Sequence, residues 1–255
     1  MTKIIAISNQ KGGVGKTTSS INIGAGLANK GFRVVLVDLD PQGNMSSGLG
    51  LKKPEFTIHG ALLNEYKVKA YPIKERLALI ACDNAFSSFE KLKGDEMDRE
   101  YLLRDLLEPL KSKCDFIILD CPPSLGLITV NAFTAANEVL IPLEAQLFST
   151  DGLEKVVEMV QKITKRLNPD LVIKGIFFTR YSKRTILKRD TLEEIKSAYP
   201  QLVYDNYIRE SIALGEAPHV GKDIFSYAIE SAGSHDYNQL IEEYLFKSEV
   251  TLSNI

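Results

Sequence analysis

At 255 residues, 44% of them hydrophobic and 25% charged, the chain is long enough to bury a core without disulfide or metal staples and too apolar to stay disordered. A formal net charge of −2 supplies no global attraction for nucleic acid, so any such contact has to come from a local basic patch. No apolar run reaches about 18 residues and residues 1–8 turn polar too soon for a signal peptide, which argues against a membrane-embedded body and makes the cytoplasm the expected location. Cys82, Cys114 and Cys121 lie 32 and 7 residues apart, matching neither a disulfide framework nor a CxxC pair, and read as buried thiols.

In chain order, residues 4–7 form a short β-branched run, followed by Asn9-Gln10, the glycine loop Lys11-Gly12-Gly13-Val14-Gly15-Lys16-Thr17-Thr18 and a helical stretch over 19–29. A second apolar strand, 34–37, ends in Asp38-Leu39-Asp40-Pro41, and a third covers 77–80. Helical spacing over 99–111 leads into the strand 116–119, which delivers Asp120 and the stiff turn Cys121-Pro122-Pro123-Ser124-Leu125-Gly126. A strand at 139–141, an amphipathic helix over 151–167 and a strand over 173–178 follow. Arg180, Lys183, Arg184, Lys188 and Arg189 then place five cations within ten residues, with no acid before Asp190. The end of the chain reads as a closing helix with an acidic polar face and a tail that frays from about 247.

Near-continuous apolar strands alternating with helices specify an α/β fold: one doubly wound, mostly parallel sheet with helices on both faces, in a single domain over 1–255. No linker, repeat or low-complexity tract divides the chain.

Strand, glycine loop and helix together form a phosphate-binding context. Glycines let backbone N–H groups converge on phosphate oxygens, and the helix N-terminus adds unpaired donors and a favourable dipole. In such a loop Lys16 reaches the β- and γ-phosphates and the Thr17 hydroxyl takes a Mg²⁺ position, making ATP and Mg²⁺ the expected ligands. Asp38 and Asp40 fall on one side of an extended chain at the sheet's C-terminal edge, where one can organise metal-bound water and the other orient the attacking water. Asp120 at the tip of its strand fits a metal-side acid acting through water.

The loop departs from the usual pattern because Gln10 occupies the first glycine position and Lys11 opens the loop. This arrangement resembles the deviant Walker A motif of the ParA/MinD partition and positioning ATPases. The resemblance implies a P-loop ATPase whose two subunits sandwich two ATP molecules, with Lys11 crossing to the partner's phosphates. It matches Asp40 to the aspartate that supports hydrolysis, places Asp38 nearer the magnesium shell, and sets 122–126 over the γ-phosphate. The stretch 207–218 resembles the family's I-P-R-N-V-R-L-x-E-A-P segment near the adenine, which brings Arg209 and Ser211 into the ATP-binding set. Here Arg209 replaces the proline, Glu210 the first arginine, and Ala213 stands where the family has a DNA-contacting arginine.

The implied function is a ParA-type partition ATPase, dimeric with ATP, binding nonspecific DNA through Arg180, Lys183, Arg184, Lys188 and Arg189, stimulated by a ParB-like partner, and nucleoid-associated when DNA-bound. A MinD-like positioning ATPase is the alternative; anionic lipid would repel the acidic face of the closing helix, which disfavours membrane. An electron-transfer protein of the nitrogenase iron-protein kind would need two cysteines bridging a cluster at a dimer axis, and only Cys121 adjoins the switch turn.

Overall fold

The computed structural model describes residues 2–146 and 149–253. Seven strands form one sheet: β1 Lys3–Ile7, β2 Val34–Asp38, β3 Tyr71–Lys74, β4 Leu77–Ile80, β5 Phe116–Asp120, β6 Glu138–Glu144 and β7 Val172–Thr179. Their order is β3-β4-β2-β5-β1-β6-β7, parallel throughout except for the β3–β4 pair. All six strands anticipated from their apolar runs form. The strand that sequence reading missed, β3, contains Pro72 and stands at the edge, where a residue without an N–H costs no ladder hydrogen bond.

Alternation along β1 divides the core. Ile4 and Ala6 face one cluster, with Phe86, Phe133 and Leu153, while Ile5 and Ile7 face the other, with Ile23, Leu240 and Ile241. Helices cover both faces. On the first lie α3 Ile58–Leu62, α4 Phe89–Lys93, α5 Leu102–Leu107, α6 Leu127–Ala135, α7 Ser149–Arg166 and α8 Ile186–Ala198. On the second lie α1 Lys16–Asn29, α2 Asn44–Gly48, α9 Ile212–Glu216, α10 Ile224–Tyr227 and α11 Ala232–Ser253.

The expected helix over 99–111 is shorter than its periodicity, because Pro109 converts its end into the 3₁₀ turn Glu108–Leu110. Helix α1 begins at Lys16, so the phosphate-loop lysine already belongs to the first helical turn. The tail expected to fray from about 247 continues α11 through Ser253, and 254–255 lie outside the described residues.

Close packing holds α11 to the sheet. Lys3 Nζ lies 2.6 Å from Glu138 Oε1, and Tyr244 Oη donates to Glu138 Oε2 at 2.6 Å. Beside them β7 has Gly175, where a Cβ would lie 2.0 Å from Cε1 of the buried Tyr204 ring. Gly175→Ala is therefore expected to destabilise the fold by about 1–3 kcal/mol through overpacking. The check is a lower urea midpoint at an unchanged m value.

Candidate nucleotide site

The site begins where β1 stops. Asn9 is fully buried and ties the loop down: its Nδ2 donates to Pro142 O at 2.8 Å, and its Oδ1 accepts the Lys11 N–H at 2.9 Å. The loop then turns through Gly13 (φ 76°) and Gly15 (φ 82°), left-handed positions that strain any side chain carrying a Cβ. Thr179, at the end of β7, donates from Oγ1 to Val14 O at 2.9 Å and closes the loop from the other side. No motif announced Thr179; only the β1–β6–β7 order brings it there.

Lys16 is 7% exposed and donates from Nζ to Lys11 O at 3.1 Å. Burial lowers its pKa, opposed chiefly by the charge of Asp120 and less by that of Asp40. Lys16, Thr17, Thr18, Gly13 and Asp40 line one open cavity of about 640 Å³, so the two sequence segments meet in space. Within it Asp40 also shapes its own turn, accepting the Gln42 N–H at 3.0 Å. Among residues that sequence reading missed, Lys52 and His219 line the outer part of the same cavity.

Asp38 and Asp120 are register neighbours at the ends of β2 and β5, both fully buried. Asp38 is not among the residues that line the cavity. Its Oδ2 accepts Ser46 N–H and Oγ–H at 2.9 and 2.7 Å, and its Oδ1 accepts the Asp40 N–H at 3.2 Å. Through these bonds Asp38 supports the Asp40 turn and the start of α2. Asp120 differs. Oδ1 accepts Ser20 Oγ–H at 3.0 Å, Thr17 stands close enough to lower the carboxyl's pKa, and Oδ2 is buried with no partner.

An orphaned carboxylate oxygen beside a helix-start threonine, below a glycine cradle, fits a hydrated divalent cation accompanying a polyphosphate. Lys11 stands at the rim, its Nζ donating to Gln146 Oε1 at 2.7 Å.

A second cavity of about 270 Å³ adjoins the phosphate loop, lined by Gly15, Thr18, Thr179, Ser211, Leu214 and Tyr237. Ser211 therefore sits where a nucleoside would continue from the phosphates. Arg209 borders this cavity, but its guanidinium is held on Asp236, Nη2 to Oδ1 at 2.6 Å.

The five cations differ in surroundings. Arg180 follows the end of β7 with φ 48° and lines both cavities, so it belongs to the cleft. Lys188 Nζ turns back to donate to Arg180 O, and Lys183 Nζ sits 5.5 Å from the centroid of the Tyr207 ring. Lys183, Arg184 and Arg189 are the exposed cations around the start of α8.

The AAA domain family matches residues 2–173. Chromosome-partitioning ATPase Soj of Treponema pallidum (strain Nichols) is 41% identical over 247 residues, covering 95% of this chain and 97% of its own length. The chain belongs to the ParA/Soj family of P-loop ATPases. Chromosome partitioning protein ParA of Myxococcus xanthus (strain DK1622) is 40% identical over 248 residues, covering 95% of this chain and 88% of its own. Among solved structures, cobyrinic acid a,c-diamide synthase from Mycobacterium smegmatis with bound ATP analogue and magnesium aligns with a TM-score of 0.84. It is 31% identical, and the match covers 95% of this chain and 93% of that one. This ParA/Soj member carries Lys16, Thr17 and Asp40 in one cleft.

Burial, and then the charge of Asp38, push the Asp120 carboxyl up to about 8, and burial pushes Asp38 up to about 6. A folded-state pKa raised above the unfolded value means the folded protein binds the proton more tightly. The ionisation penalty is absent at low pH and grows as pH rises from about 4 toward the raised value. Asp120→Asn removes that penalty. The nucleotide-free variant is expected to melt above the unmutated protein near pH 8, with the gain shrinking toward pH 5, in scanning fluorimetry across pH.

Proposed function

We propose that this chain is a ParA-type partition ATPase, a single P-loop domain over 1–255 in which Mg²⁺-ATP drives a sandwich dimer that holds DNA weakly and releases it on hydrolysis. The observation that carries the reading is the convergence of Lys16, Thr17 and Asp40 on one cleft with Lys11 at its rim, in a chain 41% identical to a chromosome-partitioning ATPase. Backbone amides of residues 12–17 would hold the phosphates, Lys16 their charge, and Thr17 with Asp120 through water the Mg²⁺. Bound magnesium supplies charge neutralisation at the β- and γ-phosphate oxygens. Asp40 orients the water that attacks the γ-phosphorus; the bond to the β–γ bridging oxygen breaks, leaving ADP and phosphate.

Lys11 contributes from the partner's side. Its Nζ leaves Gln146 for the other subunit's phosphates, where a cation completed only in the dimer is worth about 10³ to 10⁵ in rate, as arginine fingers are. DNA contact falls to exposed Lys183, Arg184 and Arg189, assisted by Lys188, because Ala213 cannot supply a cation. A ParB-like partner stimulates turnover. Among the described residues no helix is long and apolar enough to cross a membrane. The exposed Glu242 on α11 and the exposed cations at the start of α8 favour a cytoplasmic, nucleoid-associated protein over a membrane-bound positioning ATPase.

Light scattering coupled to gel filtration tests the scheme. ATP, and not ADP, is expected to shift the unmutated protein to a dimer, and Lys11→Ala to bind ATP yet stay monomeric. Asp40→Ala is expected to keep the ATP-dependent dimer while hydrolysis slows by about 10²-fold or more. A monomer in every nucleotide state would sink the sandwich. For DNA, Arg184→Ala is expected to weaken binding on any sequence and to lower the slope of log affinity against log salt by about one unit.

A further inference from the structure

The segment 205–211 has no helix or strand of its own until α9 begins at Ile212, yet it forms one wall of the cavity that continues from the phosphate loop. Two carboxylates of α11 hold it. Glu243 accepts the Asp205 and Asn206 N–H groups at 3.0 Å each and Asn206 Nδ2 at 2.8 Å. Asp236, 5% exposed at its side chain, accepts the Arg209 N–H at 2.9 Å, its Nε at 2.9 Å and its Nη2 at 2.6 Å. The remaining support is backbone pairing to the end of β7, Ile208 N to Phe178 O at 2.8 Å and Tyr181 N to Ile208 O at 3.0 Å.

The next residue of α11, Tyr237, lines the same cavity, and its hydroxyl lies 3.0 Å from Ser19 Oγ in α1. One turn of α11 thus touches both the helix that follows the phosphate loop and the clamp on the opposite wall. A bidentate guanidinium–carboxylate pair on a nearly buried acid is directional, so it fixes orientation as well as distance. Arg209 stands where the related segment has proline, whose ring would stiffen the backbone by itself. Here the stiffness comes from an ion pair.

We propose that Asp236 is a positioning residue for the nucleoside half of the site: by clamping Arg209 it sets the 208–211 wall, with Ser211, against the base and ribose. The phosphate half is built separately on Asn9, Thr179 and Asp120. The clamp therefore controls affinity for a nucleoside and not for a polyphosphate. This inference rests on the reading that the cleft takes ATP.

The test is displacement of a fluorescent ATP analogue by Mg²⁺-ATP and by Mg²⁺-tripolyphosphate, in the unmutated chain, Asp236→Asn, Arg209→Ala and the double variant. Arg209 is half exposed, so its truncation keeps the fold measurable if loss of the buried acid does not. Each single variant is expected to lose about tenfold in ATP affinity, the scale of a charged hydrogen-bond pair, with tripolyphosphate unchanged and the double variant no worse than either single. ATP affinity within twofold of the unmutated chain, an equal loss for both ligands, or additive losses in the double variant would each overturn the proposal. An unmutated protein that takes up neither ligand would instead overturn the ATP reading beneath it.

Discussion

Burial of charge at the C-terminal edge of the sheet is the constraint on which the rest of the molecule depends. Lys16, Asp38 and Asp120 are each less than a tenth exposed, and Asp40 stands at the lip. Charges taken out of water are costly unless paired or hydrogen bonded, and this cluster is satisfied unevenly. Asp38 is saturated by Ser46 and the Asp40 N–H, Lys16 rests on a loop carbonyl, and Asp120 keeps one oxygen without a partner. The imbalance suits a magnesium-bound polyphosphate: Lys16 and the loop amides would hold its negative charge, and Asp120 with Thr17 would hold the hydrated cation.

Such a site has to be held by structure that does not itself change. The central strands β1, β2 and β5 are nearly fully buried and sandwiched between two apolar clusters, which fixes the positions where their carboxylates emerge. Asn9 and Thr179 then brace the loop from β6 and β7, so that two neighbouring strands, and not the loop alone, define the phosphate cradle. On the side of the second cavity, backbone pairing of Ile208 to the end of β7 is joined by side-chain contacts from elsewhere. A helix near the end of the chain supplies the support through Asp236, Glu243 and Tyr237, which makes the placement of α11 part of the site although the phosphate loop begins with residue 11.

The phosphate loop, the strand-end acids and the doubly wound alternation were legible in the sequence because each is a local pattern. Glycines at left-handed positions, an apolar strand ending in an acid and a helix starting at the lysine depend on neighbours a few residues away. The apolar runs located six strands, and the one missed, β3, has a short mixed sequence with Pro72 that only its edge position allows. What tertiary structure alone decided are the pairings across long separations. Asn9 meets Pro142 and Thr179 meets Val14 only because β1, β6 and β7 lie side by side. Arg180 borders both cavities because β7 ends beside the phosphate loop, although its side chain is 59% exposed. Arg209 borders the second cavity with its guanidinium on Asp236, 27 residues on, a pairing that only the placement of α11 makes. Local patterns specify which chemistry the chain can carry; the direction in which each long side chain points is set by whichever distant partner satisfies its charge, and that partner is known only when the sheet has been ordered and its helices laid down.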